Sequence, residues 1–302
     1  MDWQVKKFTT VDDLLQFLVI DTEKGKAYRG MSETSHRLSS SLDRILPSHM
    51  AYEARLEEET SIIVNFCQLA KEFCDSTEKM YLQGPMPQDR IKALPILQHY
   101  GAPTRVLDWT SSPLVALYFA SIYEHDKDGA IWWFDRKAFN TGVSESWKKH
   151  GLRRHPEQNN GIDLNDTAFN TDGPAWISEL NCGFPFHRIE VQQGFFTVAG
   201  LLDLEHCKLI DEILVKGEYG RIIVKASWKQ EVLNRLRTMG IHSKSIDYPG
   251  ADLAGANIKK KLERNGRPLG SFPEDRQFKL MQTAIFGNLF LSFVSATSSI
   301  RN

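Results

Sequence analysis

Arg105-Val106-Leu107-Asp108-Trp109-Thr110-Ser111-Ser112-Pro113-Leu114-Val115-Ala116-Leu117-Tyr118-Phe119 passes from a strand into a helix with almost no connector. Arg105 to Trp109 is predicted as a strand. Ser112-Pro113 then opens a helix: the hydroxyl can accept from a first-turn amide, and proline at the first helical position has φ preset and no amide left unpaired. Leu114, Leu117, Tyr118 and Ser121 carry that helix forward at three- and four-residue steps. Upstream, Leu56, Ile63, Phe66, Ala70 and Phe73 give the same period and predict a helix over 53–74. A second helix is expected over 89–99, kinked at Pro95, and a short one over 11–18. Lys26-Ala27-Tyr28-Arg29 reads as a strand stopped by Gly30.

Downstream, Ala130-Ile131-Trp132-Trp133-Phe134 is apolar without alternation, which predicts a strand covered on both faces. Further strands are expected over 187–191, 195–199 and 220–225. Ser227-x-x-Gln230 spells a capping box for a last helix that ends at Gly240. The polar stretch 140–172 reads as a surface insertion, and 83–87 as a loop. These elements predict an α+β fold: a split, mainly antiparallel central sheet with flanking helices. One domain is expected over 1–264 including the insertion, followed by a linker and C-terminal tail over 265–302.

The formal net charge of −1 excludes a chain drawn to polyanions by its overall field, although residues 205–302 carry 16 Lys+Arg against 10 Asp+Glu. The longest apolar run, 285–294, is about half the roughly 20 residues a membrane span requires, so no membrane partner is expected. Cys67, Cys74, Cys182 and Cys207 form no C-x-x-C pair, and no signal-like start precedes them, which predicts reduced thiols and a cytoplasmic location. His187, Cys182 and Cys207 lack metal-ligand spacing, so no metal is expected. His125-Asp126 and Glu205-His206 read as surface pairs.

Phosphate-loop, dinucleotide-fold, nucleophile-elbow and zincin motifs are all missing. Two segments carry chemistry instead. Tyr28-Arg29-Gly30 puts a rigid five-donor fork at a strand end beside a glycine that allows close backbone approach, an arrangement suited to phosphate or carboxylate. His99 to Pro113 supplies Thr110, Ser111 and Ser112 at a helix start, beside Arg105 and Asp108, where amides and hydroxyls converge. Alternatives to a ligand role are an ion pair for Arg29 and simple capping for one of the hydroxyls.

Together these segments resemble the FRG domain family: Tyr28-Arg29-Gly30, Ser41-Leu42-x-Arg44, and His99-Tyr100-Gly101-x-Pro103-Thr104-Arg105-x-Leu107-Asp108-Trp109-Thr110-x-Ser112-Pro113-x-x-Ala116-x-x-Phe119-Ala120. Later segments, around 188–196 and 240–253, extend the similarity to about Leu262. More distantly, the arginine at a strand end and the hydroxyl triplet are similar to the Arg and Ser-Thr-Ser motifs of ADP-ribosyltransferases, which bind NAD in a split α+β fold. That resemblance implies NAD as substrate, with Tyr28, Arg29, Gly30, His99, Thr110, Ser111 and Ser112 as its contacts. It also implies ADP-ribosyl transfer to a protein or nucleic-acid acceptor, or NAD cleavage. The third motif of that superfamily, a catalytic carboxylate, corresponds here to Glu190-x-Gln192. If Glu190 holds the catalytic place, charge stabilisation of an oxocarbenium-like ribose is available; if Gln192 does, the carboxylate is lost. The alternatives are a non-catalytic module for a nucleotide or phosphorylated ligand, and a protein-interaction unit whose tail, 280–294, docks on a partner.

Overall fold

The computed structural model describes residues 3–21, 25–72, 79–80, 82, 89–153, 162–171, 173–180 and 187–246. Nine strands are found among them: β1 (Gln4–Lys6), β2 (Lys26–Met31), β3 (Val106–Thr110), β4 (Gly129–Asp135), β5 (Leu152–Arg153), β6 (Ile162–Asp163), β7 (Ile177–Leu180), β8 (Gly194–Ala199) and β9 (Tyr219–Val224). Seven of these build one sheet in the order β1-β9-β4-β2-β3-β8-β7. Within that sheet only the β1–β9 pair is parallel. The expected α+β class with a mainly antiparallel sheet is therefore borne out. The sheet is continuous, but its join between β2 and β3 is narrow. β2 and β4 share six paired positions, whereas β2 and β3 meet at the single pair Tyr28↔Thr110.

The helices follow the apolar spacing. They are α1 (Val11–Asp21), α2 (Ser41–Ile45), α3 (Tyr52–Ala70), α4 (Arg90–His99), α5 (Pro113–Ser121), α6 (Arg136–His150), α7 (Leu164–Ala168), α8 (His187–Val191), α9 (His206–Ile213), α10 (Lys229–Thr238) and α11 (Ser243–Ile246). Ser112 caps α5 as expected, its Oγ accepting from Val115 N at 3.3 Å. Asp89 does the same for α4, accepting from Lys92 N at 3.0 Å. One sheet face carries Tyr28, Ile131, Ile222 and Val224 under α1, α5 and α10. The other carries Ala27, Met31, Trp132 and Phe134, with Trp3, α3, α4, α6 and α9 completing that core. Gly129 through Trp132 are all buried, in line with a strand covered on both sides.

Three expectations are corrected. The polar insertion begins as an ordered helix: Phe139, Val143 and Trp147 are buried at four-residue intervals along α6. Asp135 accepts from Ala138 N at its start, and Gly151 leaves it at φ 65°. Asn and Gly content masked that stripe. Residues 187–191 form helix α8 and not a strand, because Gln193 turns the chain at φ 49° before β8 begins. The Ser227 capping box does not form. Residues 226–228 make a 3₁₀ turn, and α10 starts at Lys229 without a side-chain cap. Lys229 is instead buried, its ammonium donating to the carbonyls of Ser32, Tyr123 and Glu124 at 2.7, 2.8 and 2.8 Å.

Among the described residues no helix is long and apolar enough to cross a membrane. The expected linker and tail over 265–302 lie outside the described residues, as do Cys74, Cys182 and the 247–253 element.

Candidate functional site

The site is built where β2 and β3 part. One residue beyond the Tyr28↔Thr110 pair, the strands no longer exchange backbone hydrogen bonds. The Arg29 guanidinium fills that gap, Nη1 donating to the Asp108 carbonyl at 2.7 Å. The same nitrogen lies 3.4 Å from the Asp108 carboxylate. Arg29 Nε is buried and has no acceptor among the described residues. Burial, opposed by Asp108 and reinforced by the positive charge of Arg44, lowers the Arg29 pKa from its ordinary value. A mostly covered cation held by one carbonyl and a long contact to an exposed carboxylate is incompletely neutralised.

The long motif supplies the rest of the seam. Gln98, at the end of α4, donates from Nε2 to Asp108 Oδ1 at 2.8 Å. Its Oε1 accepts a short bond from the Thr104 hydroxyl. Thr104 N donates to Ser41 Oγ at 3.0 Å, and the Thr104 carbonyl accepts from Leu42 N at 3.1 Å. The Ser41-Leu42-x-Arg44 motif is thus stitched to the His99–Pro113 motif. Asp108 pairs with Gln98 and Arg29. Its side chain is 57% exposed, so it presents a carboxylate at the surface beside Arg29.

The remaining sequence candidates divide. Tyr28 does not face the seam; it is fully buried on the other side of the sheet, its hydroxyl donating to Asp21 Oδ2 at 2.6 Å. Gly30 makes its close approach to a helix and not to a ligand: a Cβ there would overlap the Ala116 carbonyl and stand 2.7 Å from Ala120 N. The three hydroxyls are each occupied. Thr110 Oγ1 donates to the Gln192 carbonyl at 2.6 Å and accepts from Ser112 N at 2.9 Å. Ser112 caps α5, and Ser111 Oγ accepts from Arg136 Nη1 at 3.3 Å. Arg29 reaches towards Asp108, on the other side of Trp109 from Ser111. His99 sits half-buried in the last turn of α4, edge-on to Tyr100.

Glu190 and Gln192 do not share a strand face, since Glu190 belongs to α8. Its side chain is exposed, while Gln192 donates its amide to the Ile246 carbonyl at 3.2 Å. Ser111 N donates to Gln193 O at 3.0 Å, so the 190–194 turn is strapped to the hydroxyl triplet. The segments singled out by the sequence therefore lie on β2, on β3 and at the start of β8, three neighbours in the sheet.

Two further polar residues are buried. Arg105, 1% exposed, pairs with the equally buried Glu59 and donates to the Ala168 and Gly200 carbonyls at 2.7 and 2.8 Å. His206, read as a surface residue, is fully buried. Its Nε2 lies 3.1 Å from the Arg105 carbonyl, which can only accept, so this nitrogen carries the proton. Nδ1 then accepts from Thr197 Oγ1 at 2.9 Å, and Thr197 accepts from Trp109 Nε1 at 2.9 Å. Adjacent charge in the sequence, Glu205-His206, gave no sign of this.

Burial, with the charges of Arg29 and Arg105 adding to it against the Arg105 carbonyl bond, lowers the His206 pKa to about 3. The unfolded chain takes up that proton near the ordinary value, so the contribution of neutral His206 is complete above about pH 6.5 and is lost as pH falls towards 3. Between pH 7.5 and 5.0 the wild type should lose about 2 kcal/mol more than His206→Gln. Urea unfolding of both proteins at the two pH values checks this; equal losses would show that His206 is not held neutral.

Among the described residues no three His, Cys, Asp or Glu side chains gather as metal ligands. Comparison with curated proteins and with solved structures gives no match. The family model of the FRG domain matches residues 24–129, which is β2 through α5 and the first residue of β4. The match takes in the Tyr28-Arg29-Gly30 and His99–Ala120 motifs and stops well short of Leu262. The arginine, the glutamine–threonine–aspartate relay and the small-residue face of α5 that build the seam all fall within that segment, and the chain carries an FRG domain.

Proposed function

We propose that the FRG domain binds a phosphorylated nucleotide at the β2–β3 seam, with NAD the first candidate, and that Arg29 anchors its phosphate. The observation that supports this reading is the state of Arg29: a largely covered guanidinium with Nε lacking an acceptor among the described residues and only a long 3.4 Å contact to the exposed Asp108 carboxylate, set where β2 and β3 part. A phosphate oxygen would supply the missing acceptor, and the fork matches phosphate geometry in a way an ammonium cannot. Asp108, fixed by Gln98, would accept from a ribose hydroxyl beside it.

A second reading, turnover of the bound NAD, rests on a different observation: the exposed Glu190 carboxylate is carried by a turn strapped to Thr110 and Ser111. In that reading Glu190 stabilises the ribose cation as the bond to nicotinamide breaks, and the ADP-ribosyl group passes to water or to an acceptor on a protein or nucleic acid.

Titration calorimetry with NAD and ADP-ribose tests the first reading. Arg29→Lys should weaken binding about tenfold or more, the loss expected when a bidentate fork becomes a point charge. Glu190→Gln should leave affinity nearly unchanged. Unaltered affinity in Arg29→Lys would remove the anchor role. Free nicotinamide measured after incubation with NAD separates the readings: binding without release supports a module, and release abolished by Glu190→Gln supports an enzyme.

A further inference from the structure

The edge of the sheet farthest from β7 carries a cleft of about 440 Å³, whose walls include Lys7, Phe8, Thr34, Asp128, Arg221 and Lys225. Three cations therefore face one carboxylate. That carboxylate is already committed: Asp128 Oδ1 accepts from Ala226 N at 2.8 Å and holds the turn after β9. Among the described residues none of Lys7, Arg221 and Lys225 forms an ion pair. The Lys225 ammonium lies 4.5 Å over the Trp228 ring, a contact that leaves its charge without a counter-ion.

Arg221 is the best defined of the three. It pairs with Trp132 across β9 and β4, and its guanidinium lies 4.8 Å over the Trp132 ring. Stacking fixes the plane of the fork without using its donors. Nη1 makes only a long contact of 3.5 Å to the Thr34 carbonyl, and Nε is buried without an acceptor among the described residues. Trp132 itself is 5% exposed, and its Nε1 also lacks one. Lys7 and Lys225 stand exposed at the cleft.

We propose that this β1–β9 cleft is a binding site for a small phosphorylated ligand carrying at least two negative charges. A preset guanidinium fork with two ammonium groups around it matches a multiply charged oxyanion better than a single carboxylate. The volume lies in the range of small-molecule sites, and Phe8 supplies an apolar wall for the organic part. The site is separate from the seam: Arg29 and Arg221 lie on strands flanking β4, so their backbones stand about 10 Å apart, with Trp132 between them.

Inorganic pyrophosphate is the probe, titrated into the full chain at low ionic strength. The double variant Lys7→Gln/Lys225→Gln should bind about tenfold more weakly than wild type or worse. Lys148→Gln/Lys149→Gln removes the same charge from an exposed stretch of α6 and should bind like wild type. Both pairs are on the surface, and a thermal melt of each confirms the fold. The proposal is overturned if the wild type does not bind pyrophosphate. It is overturned equally if both double variants lose the same affinity, which is an effect of net charge alone. Loss on Arg29→Gln with none in Lys7→Gln/Lys225→Gln would place the anion at the seam and overturn it too.

Discussion

Glu59→Gln should lower the stability of the folded protein by about 3–5 kcal/mol, the cost of leaving a buried guanidinium without its carboxylate. Arg105 and Glu59 are each 1% exposed, and Nε and Nη2 of the arginine address the two carboxylate oxygens separately. Nη1 meanwhile binds the ends of α7 and β8 through the Ala168 and Gly200 carbonyls. Water cannot reach the site to replace the lost carboxylate oxygen, so the penalty is not screened as it would be at a surface. The converse follows from the same physics. Glu59→Leu/Arg105→Met removes both charges together and should be less destabilised than Glu59→Gln alone, because no unpaired ion remains. Urea unfolding of the three proteins checks the order. A Glu59→Gln protein as stable as wild type would mean that the pair contributes nothing and Arg105 is held by carbonyls alone.

The His99–Pro113 motif now has a physical account that does not depend on ligand binding. Arg105 is consumed by the core, Thr104 by the stitch to Ser41, and Ser112 by the start of α5. Only Asp108 is left facing outwards, 57% exposed. Of the Tyr28-Arg29-Gly30 triplet, two residues are likewise explained by packing and one is not. The two short motifs therefore converge on a single incompletely satisfied charge, which is why Arg29 carries the functional reading.

How much of this was legible in the sequence depends on the range of the interactions. The strand–turn–helix at 105–121 and the helices read over 53–74 and 89–99 are written in local periodicity and capping, and the helices form over Tyr52–Ala70 and Arg90–His99. The seam is written nowhere locally: Arg29 and Asp108 are 79 positions apart, and only the folded sheet shows that β2 and β3 touch at one pair. His206 failed for the same reason, since its partners Arg105 and Thr197 lie just before β3 and on β8, away from its own helix. Residues 187–191 failed differently. Five residues of mixed pattern fit a strand or a single helical turn equally well, and the tertiary ties from Thr110 and Ser111 decided the outcome. In α6 the apolar stripe was present, but it was outweighed by the Asn and Gly residues around it.

Gly30→Ala should be the most disruptive of the small substitutions, costing about 3 kcal/mol or more, at or above the usual range for overpacking. The reason is what the new methyl would meet. It would overlap the Ala116 carbonyl oxygen and stand 2.9 Å from the Ala116 carbonyl carbon and 2.7 Å from Ala120 N, all main chain of α5. A flexible side chain could swing aside; a helix backbone cannot, so α5 would have to lift from β2 as a body. That movement would reach the site, because α5 begins at the Ser112 cap, whose amide is tied to Thr110 Oγ1 at 2.9 Å, and Thr110 is the single residue of β3 paired with β2. Ala116 and Ala120, one helical turn apart, are the other half of the contact, which explains why small residues recur at that spacing opposite the glycine. Ala116→Leu should therefore destabilise by a similar amount, whereas Gly25→Ala, with nothing within 4 Å of its Cβ but φ at 63°, should cost only the roughly 1 kcal/mol of a left-handed alanine. Thermal melts of the three variants give the ranking. A Gly30→Ala protein no less stable than Gly25→Ala would show that α5 does not press on β2 at this point, and the seam would then need another explanation for where it opens.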